Sequence, residues 1–376
     1  KTRALGTAQR VCWATISHQA MRPRRPPPDP VTPALPPVQP TDRWLRWLAV
    51  ALPLLALVLM VVYLQRMAAA HAALEAHTLA QASSRAAQLA AAKAQQVEAL
   101  LVGADLALRQ FRDQIAHGNA AAVNATTQAV LAAMPQGAID HFSATDAEGR
   151  LLHPSPHLEG QDHQPLSQAD RASFQLQARA DTDQLHVHPP LVSRVTGQWA
   201  MPVTRPVQRH GRFAGVATLA LSPQYLSDAL ARQQVSAKDV IALFHADGSY
   251  LARSTDLGRV LGRQMAQDRP FMQPGAASEG QFRQVAQMDG RDRLYAWYRL
   301  DRLPLITVVG LDVATTLAPA HAERQQARQR VAVLAPLSMA LVLGTSWLLL
   351  RIAREQTALA ASRGLLRATL DATGDG

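Results

Sequence analysis

The chain has 376 residues, a formal net charge of +10 and a single cysteine, Cys12. One cysteine excludes an intramolecular disulfide and any cysteine-built zinc cage. The basic balance does not point to nucleic acid, because Arg is spread along the chain and is densest beside two apolar runs, where it reads as a topology signal.

In chain order, residues 1–43 form a Pro- and Arg-rich tail without apolar periodicity, expected to be disordered and cytoplasmic. Within it Met21 opens "MRPRRPPPDP" and reads as a natural start, with residues 1–20 upstream of it. Residues 44–64, "WLRWLAVALPLLALVLMVVYL", suit a transmembrane helix with Trp44, Arg46 and Trp47 at its interface. No small-residue cleavage site stands out, so the run reads as an anchor rather than a signal peptide. Residues 65–134 hold a stalk helix rich in Ala, Gln, Leu and Arg, ended by Gly118-Asn119, and a second helix that stops at Pro135.

After Pro135 the period changes. Residues 135–235 read as one α/β module. "AIDHFSATDAEGRLLHPS" (138–155) is a strand, an Asp-x-x-Gly turn and a strand. Residues 166–179 are a loop and short helix with Ser167 as a cap, and three strand-like stretches follow. "SPQYLSDALARQQ" (222–234) is a helix opened by Ser-Pro. Residues 236–312 repeat the pattern. "FSATDAEGRLLHPS" aligns with "LFHADGSYLARSTD", and "GRFAGVATLALSPQYL" with "DRLPLITVVGLDVATTL". The expected fold class is therefore α+β, with tandem antiparallel-sheet modules on a long N-terminal helix. A connecting helix at 313–330 leads into a second uncharged span at 331–350. Arg clusters before the first span and after the second place both termini in the cytoplasm and residues 65–330 outside it.

The series Asp170, Arg171, Phe174, Ser193, Arg194, Gly197, Trp199, Arg205, Gly211, Phe213 and Gly215 resembles the double Cache (tandem PDC, PAS-like) periplasmic sensors of bacterial receptors. The resemblance covers residues 65–330 and implies a membrane-distal module that binds ligand and a proximal module that transmits. The sequence departs from relatives at Ser173 and Gln177, where an aromatic and a His are common. "SRGLLRATLDATGDG" (362–376) looks like the opening of a cytoplasmic PAS domain, after a linker too short for a HAMP module.

The residues that suit a ligand pocket are Arg171 and Arg205, which can grip a carboxylate, and Phe174 and Trp199, which can form its wall. The proximal module offers Asp247, Tyr295, Trp297 and Arg299, of which the aromatics read as core. His153, His157, His163, His186 and His188 are abundant; His186 and His188 share a strand face but lack a third ligand. No catalytic constellation, metal or cofactor is expected in these residues. The expected function is sensing of a small molecule, an amino acid or an organic acid, at a bacterial inner membrane. The resemblance implies a homodimer that passes the signal to a histidine kinase or diguanylate cyclase output, and no nucleic-acid partner is expected. A membrane-tethered periplasmic binding or scaffold protein without enzymatic output is the alternative.

Overall fold

The computed structural model describes residues 42–154, 166–180 and 182–374. The expected tail at 1–41, with Cys12 and Met21, lies outside them, as do His157 and His163. Residues 55–340 form one compact unit, and the described residues up to Leu54 and from Leu341 form another.

Helix α1 runs from Asp42 to His117 and includes both the first apolar run and the stalk. Gly118, at φ 71°, ends it, and Asn119 caps α2 (Ala120–Ala133) by accepting from the Ala122 N–H. One face of α1 carries Ala86, Ala90, Ala94, Leu101, Ala104, Leu108 and Phe111, all buried in one core cluster. Steps of three and four residues keep these side chains on one stripe. The small alanines allow a strand to come close, and Thr307 Oγ1 donates to the Ala90 carbonyl at 2.8 Å.

The expected internal repeat is present as two antiparallel sheets. The first has β1 (Ile139–Thr145), β2 (Leu151–Pro154), β3 (His186–Val187), β4 (Leu191–Val192), β5 (Trp199–Arg209) and β6 (Arg212–Leu221), in the order β2-β1-β6-β5-β3, with β4 on β5. The second has β7 (Val240–His245), β8 (Tyr250–Arg253), β9 (Glu279–Val285), β10 (Asp292–Arg299) and β11 (Leu305–Asp312), in the order β8-β7-β11-β10-β9. Each module thus begins with a hairpin whose first strand pairs the module's last strand. Gly149 and Gly248 sit at φ 79° and 90° in the two hairpin turns, where a β-carbon is disfavoured.

Three helices complete the modules: α3 (Ala172–Arg179), α4 (Pro223–Ala231) and the short α5 (Leu257–Val260). Ser222 caps α4 by accepting from Tyr225 N–H at 3.2 Å. Ser167 does not cap α3, contrary to the expectation. Arg171 occupies the cap position, and Ser167 Oγ accepts from Ala169 N–H in the preceding turn. The final helix α6 (Val313–Gly374) includes the connecting helix and the second apolar run, and residues 362–374, read as the opening of a PAS domain, continue it. Asp312 starts α6 by accepting from both Thr315 N–H and Oγ1, at 2.7 and 2.6 Å. Both α1 and α6 are long and apolar enough to cross a membrane. Trp347 and Arg351 lie one turn apart near the end of the second run, with the guanidinium 5.7 Å from the ring centroid.

Candidate ligand pocket

Strand alternation divides the first sheet into two chemically different faces. Phe142 and Ala144 of β1, Met201, Val203 and Val207 of β5, and Ala217 and Leu219 of β6 pack in the core with α1. On the opposite face, His141 and Ser143 of β1, Ala200 and Pro202 of β5, and Thr218 of β6 line a cavity of about 50 Å³. Arg171, Ser173 and Phe174, from the start of α3, cover it, and the turn 193–195 closes its edge.

The polar groups here are held from behind. His141 Nδ1 lies 2.8 Å from Asp140 Oδ2, and Thr196 Oγ1 donates to the same oxygen at 2.8 Å. Arg171 Nη2 donates to the Val192 carbonyl at 3.1 Å. Its Nε is buried and has no hydrogen-bond partner among the described residues. Burial lowers the Arg171 pKa, and the neighbouring Arg194 cation lowers it further. A buried donor on a cation is costly to leave unpaired, so the group is suited to an incoming acceptor.

The motif that carried the sequence resemblance is explained by this arrangement. Ser193 Oγ accepts from the N–H groups of Val195 and Thr196, which shapes the turn. Arg194 grips Asp170 with two bonds of 2.6 and 2.7 Å, pinning the loop before α3. Those bonds hold the Asp170 carboxyl down at about 2. Gly215 lies at φ 141°, and a β-carbon there would come within 1.9 Å of the Thr145 carbonyl oxygen, so β6 can pass β1 only with glycine. Phe213 meets Phe174 edge-on, with centroids 5.8 Å apart.

No curated protein sequence matches the chain. Residues 225–310 match the profile of the dCache_1-like histidine kinase sensor domain. The extracellular domain of a chain described as a histidine kinase is 24% identical, covers 62% of this chain and 95% of its own, and superposes with a TM-score of 0.54. The ligand-binding domain of the chemoreceptor CtaA of Pseudomonas fluorescens, solved with L-isoleucine, is 16% identical, covers 63% and 94%, and gives 0.50. Residues 225–310 are thus a Cache-like sensor domain, and the fold around them is that of solved extracellular ligand-binding domains.

Of the four residues expected to line the distal Cache pocket, the structure brings two together there, Arg171 and Phe174. Arg205 shares the parity of Met201 and Val203 and so points to the other face, toward α1. Its Nε and Nη2 grip Asp105 of α1, and Nη1 reaches Asp183 at 2.7 Å. Burial opposes the Asp183 charge, but bonds from Arg112 and Arg205 outweigh it and hold the carboxyl below its usual range. Trp199 stands at the first position of β5, 38% exposed. Its ring lies over Gly262 of the proximal Cache module, where a β-carbon would come within 2.9 Å of it.

His141, Ser143 and Thr218 were not among the expected pocket residues. Their signal is present as alternation: in "DHFSAT" the polar residues fall on every second position, opposite Phe142 and Ala144. Beside the cavity Gln177, fully buried, donates to the Thr204 carbonyl and Oγ1 at 2.8 and 2.9 Å, and His188 Nε2 lies 2.9 Å from the same Oγ1. His186 and His188 are neighbours, with ring centroids 6.3 Å apart. Among the described residues, no group of three or more His, Cys, Asp or Glu is placed to hold a metal. In the proximal module Tyr295 and Trp297 pack with Phe271 and Phe282.

Proposed function

We propose that the distal Cache module binds a small carboxylate-bearing molecule, an amino acid or an organic acid, outside the cytoplasmic membrane of a bacterium. The observation that carries this reading is the buried Nε of Arg171, unpartnered among the described residues, at the mouth of a cavity floored by His141, Ser143 and Thr218. A carboxylate there would accept from Arg171, and Phe174 would cover the apolar part of the ligand.

The bound state is passed inward by a population shift. Ligand acts only as far as it binds one arrangement better than another. The sheet that holds the pocket is clasped to α1 on its other face by Arg205 and Asp105. Within the same unit Arg324 of α6 donates to Glu75 of α1 at 3.0 Å, so the two helices are linked between the first apolar run and the second. A change at the sheet therefore shifts α1 and α6, and α6 carries it across the bilayer to a histidine kinase or diguanylate cyclase output. Both ends of the chain are cytoplasmic in this reading, and the receptor works as a homodimer.

A thermal-shift screen of amino acids and organic acids on the chain identifies the ligand, because a molecule that binds only the folded state raises the melting temperature. Arg171→Ala is expected to weaken that ligand by about ten- to hundredfold, the loss of a charge-assisted hydrogen bond. Its unliganded melting temperature should change little. Undiminished binding by Arg171→Ala would reject this pocket as the sensing site.

A further inference from the structure

The proximal module contains a cavity of about 100 Å³ on the face of its sheet turned away from α1. We propose that this cavity is a second ligand site, separate from the distal one, and that it takes a small monocarboxylate with a short apolar tail. Arg253 at the end of β8 and Arg269 in the loop after α5 both line it, and they are only 6% and 8% exposed. A guanidinium does not shed its charge when buried, so it needs a compensating anion.

Among the described residues, each arginine is paired only at long range with a carboxylate that is largely in water. Arg253 donates to the Thr255 carbonyl at 2.5 Å, and its contact with the Asp256 carboxylate is 3.5 Å long. Arg269 stands 3.6 Å from Asp268, beyond hydrogen-bond range, and that carboxylate is 64% exposed. Arg293 on the same sheet, by contrast, is paired closely with a carboxylate. It is 3% exposed, bonds both oxygens of Asp289 at 2.9 and 2.6 Å, and donates to the Lys238 carbonyl.

The remaining wall selects the ligand's other end. Phe244, Phe271, Phe282 and Tyr295 line the cavity, with Phe244 and Phe271 centroids 5.6 Å apart and Phe282 stacked on Tyr295 at 5.1 Å. Tyr250 lines it too; its hydroxyl donates to Met265 Sδ at 3.6 Å. Among the described residues no Asp or Glu lines the cavity, so an ammonium group finds no charged partner there. This chemistry favours a plain carboxylate over an amino acid, and the small volume limits the tail to a few carbons.

The test uses the full chain in detergent, carrying Arg171→Ala so that the distal pocket is weakened, and titrates propionate by calorimetry. Saturable binding of one propionate per chain is expected, with the neutral isostere propionamide at least about tenfold weaker. Adding Arg269→Gln should weaken propionate by about ten- to hundredfold. Absence of saturable propionate binding, equal affinity for propionamide, or unchanged binding after Arg269→Gln would each overturn the site. If Arg269→Gln does not fold, the comparison of propionate with propionamide on the parent chain decides alone. The distal reading is judged separately, by the effect of Arg171→Ala on the ligand found in the screen.

Discussion

Arg205→Ala will lower the stability of the sensor region by about 2–3 kcal/mol. The guanidinium is 3% exposed and joins three segments: α1 through Asp105, the stretch before β3 through Asp183, and β5 itself. Removing it leaves two carboxylates that its charge had balanced. The loss stays at the lower end for a broken buried pair for two reasons. Asp105 keeps Arg109 at 3.0 Å and Asp183 keeps Arg112 at 2.5 Å, and Asp183 is itself partly in water. Arg205→Lys recovers little, because one ammonium cannot reproduce the forked contact to Asp105 while reaching Asp183. Urea unfolding of an excised sensor region (residues 65–330) measures the difference. A loss below about 0.5 kcal/mol, the worth of an ordinary surface pair, would show that the clasp is not structural.

Acid will destabilise the same region through His188. The imidazole is 8% exposed, and burial, reinforced by His186 and His245 nearby, pushes it down from 6.5 to about 4. An unfolded chain protonates this histidine near 6.5, whereas the folded chain does so only near 4. Between those values the unfolded state binds more protons, so stability falls as the pH drops. The contribution is fully present above pH 6.5 and is lost progressively down to about 4. Its size is about 3 kcal/mol, from roughly two and a half pKa units at about 1.36 kcal/mol each. His188→Gln keeps a polar partner for Thr204 and removes the titration. Its unfolding free energy, followed from pH 7 to 4, should fall less steeply than that of the parent by that amount. Parallel pH profiles would contradict the assignment.

Much of the scaffold is legible in local sequence patterns. The two hairpins announce themselves through Asp-Gly and Asp-x-x-Gly turns between alternating strands, and the repeat follows from placing one over the other. The length of the stalk part of α1 follows from a proline-free run of strong helix formers that ends at Gly118-Asn119. The pocket is legible only in part. Arg171 and Phe174 sit where a helix meets the sheet, and their place in the sequence motif marks them. Arg205 belongs to the same motif but faces the core, as Met201, Val203 and Val207 on the same parity indicate. Its partner Asp105 lies a hundred residues earlier on a helix, a pairing that no local pattern carries. Arg253 and Arg269 come from a strand end and a loop, and only the fold of the proximal module brings them to one cavity. Ser167 is a plausible cap by residue type, yet the turn at Asp170, pinned by Arg194, starts α3 later.

Membrane topology is the most direct measurement of whether this chain is a transmembrane sensor. Alkaline phosphatase, active only outside the cytoplasm, can be fused after Gly118 and after Gly376, with a fluorescent protein that folds in the cytoplasm as the reciprocal reporter. Phosphatase activity at Gly118 and fluorescence at Gly376 are the expected pair. Fluorescence at Gly118 would place both Cache modules in the cytoplasm and contradict extracytoplasmic sensing.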